Sequence, residues 1–286
     1  IPMECLPQIC DSDSVFGYTL MGGLFEKPVP ICAVLGDSHA ALFGQGCLLP
    51  GMSKATYGTG SSLMMNIGEK PTASSHGVVT SLAWKRRGRV EYVLEGNLNY
   101  TGAVITWLKE DMKLIQTAGE TEELALSANP ADETYLVPAF TGLGAPYWDE
   151  NARAAIIGMS RVTGKAELVR AALDCIAYQI TDLIMAMEQD TGIPMKELRV
   201  DGGPTRNRYL MQFQSDISGK KLRIPAEEEL SGIGAAYMAG IAAGLYQEEV
   251  LFGRENGTEF IPEMDELVRK QKQEGWKAAV AKVTAV

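Results

Sequence analysis

Apolar and polar residues change their spacing near residue 100, so the chain divides into two stretches with different periodicity. Before that point, short runs of alternating residues are interrupted by glycine-containing turns, a pattern typical of antiparallel hairpins. After it, apolar residues recur at helical spacing and short apolar runs lie between the helices. The chain is therefore expected to begin with hairpins and to continue with alternating strands and helices.

The individual elements follow from these patterns. The first stretch predicts a buried strand at 30–35, a helix at 38–46, and hairpins that pair 53–58 with 62–67 and 77–84 with 89–94. The second stretch predicts helices at 102–117, 121–128, 165–189, 205–218, 231–244 and 264–286, and strands at 134–140, 154–159, 198–200 and 221–224. Hairpins followed by βα units predict an α/β fold with a mixed sheet flanked by helices, as in actin-like, ribonuclease-H-like domains.

Composition and charge exclude several classes of function. A chain of 286 residues, 46% hydrophobic, is long enough for one large domain or two modest ones. The net charge of −10 argues against non-specific nucleic-acid binding, which depends on basic side chains. No apolar run approaches the roughly 20 residues that span a bilayer, so no membrane association is expected. The five cysteines have neither zinc-site nor disulfide spacing, and His39 and His76 are solitary. We therefore expect no metal site and a reducing, cytoplasmic location.

Three glycine-containing segments at strand ends can carry chemistry. Asp37 can act as a general base, or it can simply cap the next helix. The segment 57–61 (Tyr-Gly-Thr-Gly-Ser) can hold a phosphate on backbone N–H groups, or it can be an ordinary hairpin turn. The segment 201–203 (Asp-Gly-Gly) with Asn207 can place a nucleotide at a helix N-terminus, or it can be a capped βα turn. The residues alone favour the cap and the turn for the first two and neither interpretation for the third.

Two further segments also have two interpretations. The Gly/Pro/aromatic loop at 142–149 can contact a substrate or a partner, although such loops are more often packed down by their own aromatic side chains. The small residues at 231–236 indicate close helix packing, and nucleotide proximity is the less common explanation.

Read in order, these segments resemble the C-terminal part of the FGGY carbohydrate kinase family and, within it, the glycerol kinases. The run from 154–159 through Glu167 to Asp174 is similar to the second signature pattern of the family, with its spacing intact. The segments 36–37, 57–60, 140–149, 199–203 and 210–216 are similar to glycerol kinase segments as well. The resemblance therefore covers nearly the whole chain.

The resemblance implies a function and a set of site residues. The family fold has two actin-like domains around a deep cleft, with the sugar held mainly by the first and MgATP by the second. The implied reaction is transfer of the ATP γ-phosphoryl group to a primary hydroxyl of a small polyol or sugar, with ATP and Mg²⁺ as cofactors. Asp37 is implied as the catalytic base and Thr59 with Gly60 as a phosphate contact. The positions implied near the nucleotide are Gly102, Thr106, Gly203 and Asn207.

Three of these positions depart from the glycerol kinase pattern. Ser38 stands where a glutamine usually contacts glycerol, Ser62 where a phenylalanine usually packs on its carbons, and Thr106 where a glutamine usually lies near the nucleotide. Two smaller, polar residues in the substrate pocket leave space and hydrogen-bonding capacity for a longer polyol or a ketose. Glycerol is therefore the nearest expectation, and a pentulose or longer-polyol kinase is the alternative.

The resemblance also predicts the domain organisation. Residues 1–29 are expected to be the tail of an N-terminal domain that this chain lacks, and residues 30–286 the nucleotide-binding domain. Nothing in the chain resembles the N-terminal Asp-Gly-Thr phosphate motif of the family, so the chain alone is expected to be inactive. We also expect a homo-oligomer. A non-catalytic actin-like ATP-binding module is the alternative from another functional class. A sugar-responsive regulator is a third hypothesis, but this chain contains no helix-turn-helix segment that would support it.

Overall fold

The fold is described by a computed structural model that covers residues 2–253 and 257–284. Its strands are β1 Gly17–Thr19, β2 Val29–Ile31, β3 Met52–Tyr57, β4 Ser61–Gly68, β5 Val79–Arg86, β6 Arg89–Leu98, β7 Tyr135–Val137, β8 Ala155–Ile157, β9 Glu197–Asp201, β10 Leu222–Ile224 and β11 Thr258–Phe260. Its α-helices are α1 Asp37–Gly44, α2 Gly102–Glu110, α3 Glu120–Ser127, α4 Lys165–Thr191, α5 Arg208–Ser218, α6 Leu230–Ala242, α7 Glu248–Phe252 and α8 Glu266–Thr284.

The central sheet has seven strands in the order β11-β10-β9-β3-β4-β6-β5. β9 runs parallel to both β3 and β10. The remaining neighbours, including the two predicted hairpins β3–β4 and β5–β6, pair antiparallel. The mixed sheet flanked by helices is therefore as the sequence predicts.

Hydrophobic cores lie on both faces of this sheet. Consecutive side chains of a strand point to opposite faces, so Met65 joins the core that contains α4, and Met64 joins the core that contains α1 and α6. α4 is buried over most of its surface, as expected of a central helix. The side chain of Glu167 accepts a hydrogen bond from the Gly164 amide at 2.9 Å and so caps the helix start. Gly192, with a φ of 66°, ends it.

Two predicted elements were wrong in extent, each for a local reason. The run at 30–35 is not a buried strand: β2 ends at Ile31, its three residues are exposed, and it pairs only with β1. Its apolar side chains are covered only in part: Cys32 is buried and Leu35 packs against the core that contains α1 and α6, whereas Val34 is 53% exposed. α2 ends at Glu110 rather than at 117, because Lys113 adopts a φ of 55° and turns the chain out of the helix.

Several boundaries differ by less. Residues 203–206 form a 3-10 turn, so α5 begins at Arg208 rather than at 205. The strands at 134–140 and 154–159 shorten to the pair β7–β8, which forms a separate two-stranded sheet. The sequence pattern missed β1, β11 and α7, which are short and bury at most one residue each.

The predicted domain limits stay a prediction. The boundary between residues 29 and 30 falls inside β2, which joins the opening segment to the rest of the chain. That segment also holds the β5–β6 turn: Asp11 forms an ion pair with Lys85 at 2.7 Å and accepts a hydrogen bond from the Gly88 amide at 2.9 Å. Residue 1 of the predicted tail and the last two residues of the predicted terminal helix lie outside the described residues. Over residues 2–253 and 257–284, no helix combines the length and apolar character needed to cross a membrane.

Candidate functional site

Two cavities open on either side of the turn that joins β3 to β4. The first, about 560 Å³ in volume, lies between α2, α3 and α5. It is called the apolar cavity here because aliphatic side chains form its floor. The second, about 480 Å³, lies between the β3–β4 turn and the starts of α1 and α6, and is called the acidic cavity because of its carboxylates. Each cavity receives several of the residues that the sequence singled out.

The turn between the cavities is held rigidly by the start of α2. The carbonyl of Gly58 accepts a hydrogen bond from the Gly102 amide at 2.9 Å, and that of Thr59 accepts one from the Ala103 amide at 3.0 Å. The hydroxyl of Thr101 donates to the Gly58 carbonyl at 3.0 Å. A Cβ on Gly102 would lie 2.5 Å from the Gly58 carbonyl oxygen, so the close approach requires glycine. The turn therefore cannot shift without moving α2.

The apolar cavity has an aliphatic floor and a polar rim. Leu173, Ile176 and Leu210, all buried, form the floor together with Ile105. The rim carries residues from three elements: Gly102, Thr106, Lys109, Glu110, Glu122, Gly203, Arg206 and Asn207. Apolar walls with a few polar groups are the usual composition of a small-molecule pocket, and a flat heteroaromatic ring suits such a floor.

Asn207 has both of the roles that the sequence left open. Its side chain caps α5, since Oδ1 accepts a hydrogen bond from the Leu210 amide at 2.9 Å. Its amide nitrogen donates to the Thr121 hydroxyl at 3.0 Å, so both ends of the amide are fixed. Asn207 lines the apolar cavity in this orientation.

The βα turn before Asn207 brings backbone to the edge of the same cavity. Gly202 has a φ of 98°, and a Cβ there would lie 2.0 Å from the Tyr57 carbonyl oxygen, so β9 and β3 meet at a position that only glycine can occupy. Gly203 differs, because a Cβ there would contact nothing within 4 Å and its backbone is outside the left-handed region.

The acidic cavity gathers most of the predicted substrate residues. Asp37 and Ser38 from the first turn of α1, Gly60 from the β3–β4 turn, and Ser62 from β4 line it together. The lining also contains the carboxylates of Asp201, Glu228 and Glu229, the ammonium group of Lys54, and the polar side chains of Thr56, Ser61, Asn97 and Ser231. The cavity is therefore polar and carries several negative charges.

Asp37 is placed at the mouth of the acidic cavity with its carboxylate exposed. It is the first residue of α1, and Gly36 occupies the N-cap position that the sequence offered as the alternative for Asp37. The Ser38 amide donates to Asp37 Oδ1 at 2.6 Å, which orients the carboxylate. Because Asp37 lines the acidic cavity, an acceptor hydroxyl bound there could reach this carboxylate.

Ser62 presents a polar atom without a partner. Its Oγ is buried and forms no hydrogen bond with any described residue. Leaving a buried hydroxyl unsatisfied costs about 1–3 kcal/mol, so such groups usually have a ligand or water partner. Because Ser62 lines the acidic cavity, a rotation of its side chain would let a hydroxyl-bearing ligand in that cavity supply the missing hydrogen bond.

A buried polar cluster below the acidic cavity was not predicted from the sequence. Asp201 accepts a hydrogen bond from Gln45 Nε2 at 2.5 Å, and Lys54 donates one to the Thr56 hydroxyl at 2.9 Å. Burial raises the pKa of Asp201, while a hydrogen bond with Thr56 and the charge of Lys54 counteract that rise. A lysine within the otherwise apolar and hydroxyl-bearing strand β3 was the available signal for this cluster.

The structure thus separates the predicted residues into two groups. Gly102, Thr106, Gly203 and Asn207 line the apolar cavity, and Asp37, Ser38, Gly60 and Ser62 line the acidic cavity. Thr59 lies at the exposed tip of the turn between them and lines neither cavity. Thr106 donates its hydroxyl proton to the Gly102 carbonyl at 3.3 Å.

The two remaining segments of the sequence analysis pack as structural elements. Tyr147 of the 142–149 loop is tied down by a 2.9 Å hydrogen bond to Asp182, and Trp148 donates to the Gly77 carbonyl at 2.6 Å. Gly234 of the 231–236 segment lies against α1, where it contacts the backbone of Ala40. The expectation of close helix packing is confirmed.

Solved structures share this fold. The crystal structure of Plasmodium falciparum glycerol kinase with ADP aligns with a TM-score of 0.92 and 34% identity, covering 98% of this chain and 57% of that chain. A ligand-bound xylulose kinase from Lactobacillus acidophilus aligns with a TM-score of 0.85 at 19% identity over 100% of this chain and 59% of its own, a likeness in fold. The chain therefore has the predicted actin-like, ribonuclease-H-like α/β fold.

Sequence comparisons identify the protein family to which the chain belongs. The model of the FGGY family of carbohydrate kinases, C-terminal domain, matches residues 53–243. The chain is 46% identical over 282 residues to a glycerol kinase of Brevibacillus brevis and 45% identical over 284 residues to one of Carboxydothermus hydrogenoformans. These matches cover 98% and 99% of this chain but 56% and 57% of the relatives, so the chain spans little more than half their length. This chain belongs to the FGGY family of carbohydrate kinases.

Proposed function

We propose that the protein transfers the γ-phosphoryl group of ATP to a primary hydroxyl of a small polyol, with glycerol as the nearest expected acceptor. In this proposal the nucleotide occupies the apolar cavity, the acceptor occupies the acidic cavity, and Asp37 takes the proton of the attacking hydroxyl. The observation that carries the proposal is the β3–β4 turn, which separates the two cavities and is fixed by α2.

The geometry supports each assignment. Phosphoryl transfer depends mainly on positioning and on charge stabilisation, so a donor and an acceptor must meet at a rigid point. Thr59 and Gly60 are proposed as the phosphate contact at that point, because the turn exposes backbone between the cavities. Gly102, Thr106, Gly203 and Asn207 are proposed to contact the nucleotide from the rim of the apolar cavity.

Mg²⁺ is proposed to arrive with the nucleotide. The described residues contain no group of three histidine, cysteine or carboxylate side chains arranged to hold a metal. That fits Mg²⁺, which is commonly bound through substrate phosphates and one or two carboxylates rather than in a cage of protein ligands. When bound, the ion would offset the negative charge of the phosphates.

A second domain is proposed to complete the active site. The relatives are longer than this chain by more than two fifths of their length, and the acidic cavity is open on the side of Asp37 and Glu228, both of which are exposed. We propose that a further domain closes over this side and excludes water, which otherwise competes as the phosphoryl acceptor. The homo-oligomer and the cytoplasmic location remain predictions.

The test is an ADP-release assay with the full natural protein that includes this chain. Glycerol, erythritol, xylulose and ribulose are compared at saturating MgATP. Preference for glycerol supports the leading proposal, and preference for a longer acceptor supports the alternative. ATP binding without turnover on any acceptor would overturn the kinase assignment in favour of the non-catalytic module.

Acceptor preference is expected to depend on Ser38 and Ser62. Ser62, whose hydroxyl has no partner, lines a cavity of about 480 Å³, so an acceptor larger than glycerol has space there and would gain a hydrogen-bond partner if that hydroxyl turned toward it. We predict that S38Q with S62F raises kcat/KM for glycerol relative to xylulose about tenfold, since phenylalanine fills space and adds an apolar surface. The KM for ATP is the control. An unchanged ratio of the two acceptors would remove these residues as determinants.

Nucleotide affinity is expected to fall with the size of the side chain at residue 203. A Cβ at Gly203 meets no protein atom within 4 Å, so alanine, valine and leucine should be accepted by the fold while they occupy the apolar cavity. We predict that G203A, G203V and G203L weaken ATP binding progressively, by about tenfold or more for the larger two. Calorimetric titration gives the affinity, and an unchanged unfolding midpoint is the internal control. Equal affinity across the series would mean that the nucleotide does not lie here.

A further inference from the structure

Lys54 is a lysine buried in the wall of the acidic cavity. It lies in the middle of β3, is 1% exposed, and is nevertheless one of the residues that line the cavity. Lysine is almost never fully buried unless its charge has a partner, because removing an ammonium group from water is costly. Its position therefore needs an explanation beyond packing.

The contacts of Lys54 leave hydrogen-bonding capacity on its ammonium group. Its Nζ donates to the Thr56 hydroxyl at 2.9 Å, and an ammonium group has three protons to donate. Within residues 2–253 and 257–284, no carboxylate forms an ion pair with Nζ. Lys54, Thr56 and Gly58 share one face of the strand, so the side chain extends along β3 toward the β3–β4 turn.

Several negative charges act on Lys54 from neighbouring elements. Burial lowers the pKa of Lys54, while the carboxylates of Asp201 on β9, Glu95 on β6 and Asp37 on α1 favour its charged form. The cation is thus surrounded by carboxylates without being neutralised by direct contact with one. The ammonium group therefore retains protons that it can donate to an oxygen atom of a ligand in the cavity.

The proposed reaction brings such an anion into the cavity. A phosphoryl group transferred to the acceptor carries negative charge into a space lined by the carboxylates of Asp37, Asp201, Glu228 and Glu229. Like charges at this spacing repel, and the cost is greatest where water is excluded. Among the described residues that line the acidic cavity, Lys54 is the only lysine or arginine.

We propose that Lys54 binds the phosphoryl group on the acceptor side of the cavity and so recognises the phosphorylated acceptor, a phosphate monoester. This inference rests on the proposed kinase function. During transfer, the bond between phosphorus and the leaving oxygen of ATP breaks while the bond from phosphorus to the acceptor oxygen forms. In this inference, Lys54 is the cation of this chain that binds the phosphoryl group as it reaches the acceptor. The unphosphorylated polyol, which is neutral, gains little from this charge.

The test compares two ligands that differ only by the phosphate. Dissociation constants for glycerol 3-phosphate and for glycerol are measured by calorimetry with the full natural protein and with K54M, K54R and K220M. K220M is the control, because Lys220 is a partly buried lysine that pairs with Glu188 at 2.5 Å and lines neither cavity. We expect K54M to weaken glycerol 3-phosphate binding about ten- to a hundredfold, the range of a charged hydrogen bond, and glycerol binding less than about threefold.

The remaining variants and the natural protein provide further results that support or contradict the inference. K54R should retain part of the affinity for the ester, and K220M should change neither constant. If K54M does not fold, K54Q gives the same comparison, because its neutral amide can still donate to Thr56. Equal weakening of both ligands, or binding of the ester unchanged by K54M or absent from the natural protein, would overturn the inference. Turnover of glycerol by the natural protein tests the kinase proposal separately, so either idea can fail while the other stands.

Discussion

Replacing Asp37 with asparagine is expected to lower kcat for phosphoryl transfer by about 10²–10⁴-fold, the usual contribution of a positioned general base. Asparagine preserves the size of the side chain and an oxygen that can accept the hydrogen bond from the Ser38 amide. It cannot accept the proton of an attacking hydroxyl. The KM for ATP should stay within about threefold of its original value, because Asp37 lines the acidic cavity and not the apolar one.

The measurement is a steady-state assay of ADP release on the full natural protein, with acceptor and ATP varied in turn. E228Q is the matched control: Glu228 is an exposed carboxylate of the same cavity, and its ion pair with Arg206, at 3.4 Å, is largely solvated. E228Q should retain most of the activity. If D37N kept kcat within twofold, or if both variants lost activity to the same extent, Asp37 could not be the base.

The parts of the fold that the sequence predicts are those determined by neighbouring residues. The hairpin of β3 and β4 needs only two alternating runs and the glycines around Thr59, so its register could be approximated from the chain alone. The pairing of β3 with β9 could not, because it joins Thr56 to Asp201 across most of the domain. β2 was misjudged because an apolar run does not reveal whether another layer covers it.

The site divides in the same way. The spacing of Asp37, Ser38 and Ser62 suggested chemistry only once their segments were seen to resemble those of a family, since each residue has an ordinary structural explanation. Lys54 is conspicuous in its strand. However, its position beside a cavity depends on Glu95, Asp201 and α1, which lie far from Lys54 in different parts of the sequence and are brought next to it only by the fold. The periodicity of the sequence predicts individual helices and strands. Which residues line a cavity depends on how those helices and strands pack together, and periodicity does not reveal that.

The contact between α1 and α6 gives the largest expected effect on stability. The two helices touch backbone to backbone: a Cβ on Gly234 would lie 1.8 Å from the Ala40 carbonyl oxygen and 2.8 Å from the Gly44 amide nitrogen. A Cβ on Gly44 would in turn lie 2.5 Å from the Leu230 carbonyl oxygen. Backbone atoms cannot rotate away as side chains do, so even alanine at residue 234 must push the helices apart.

We predict that G234A destabilises the protein by on the order of 3 kcal/mol, the upper part of the range for overpacking. The matched control is G232A on the same helix, where the nearest atom to the added Cβ is the flexible Glu229 Cγ at 3.4 Å. Both changes replace glycine by alanine in a helix, which by itself favours folding by roughly 0.5–1 kcal/mol. G232A should therefore be neutral or stabilising, and the difference between the two variants measures the helix contact.

Urea unfolding of the full natural protein gives the free energies, and kcat measured below the unfolding transition gives the second readout. Because α1 carries Asp37 and Ser38 at its start, separating it from α6 displaces both side chains relative to the β3–β4 turn. A displacement of about 1 Å can cost on the order of a hundredfold in rate. We therefore expect G234A to lower kcat even where it is fully folded, with KM for ATP unchanged. Stability equal to that of G232A would show that the helices accommodate the methyl group, and the proposed link between this packing and the position of Asp37 would then be wrong.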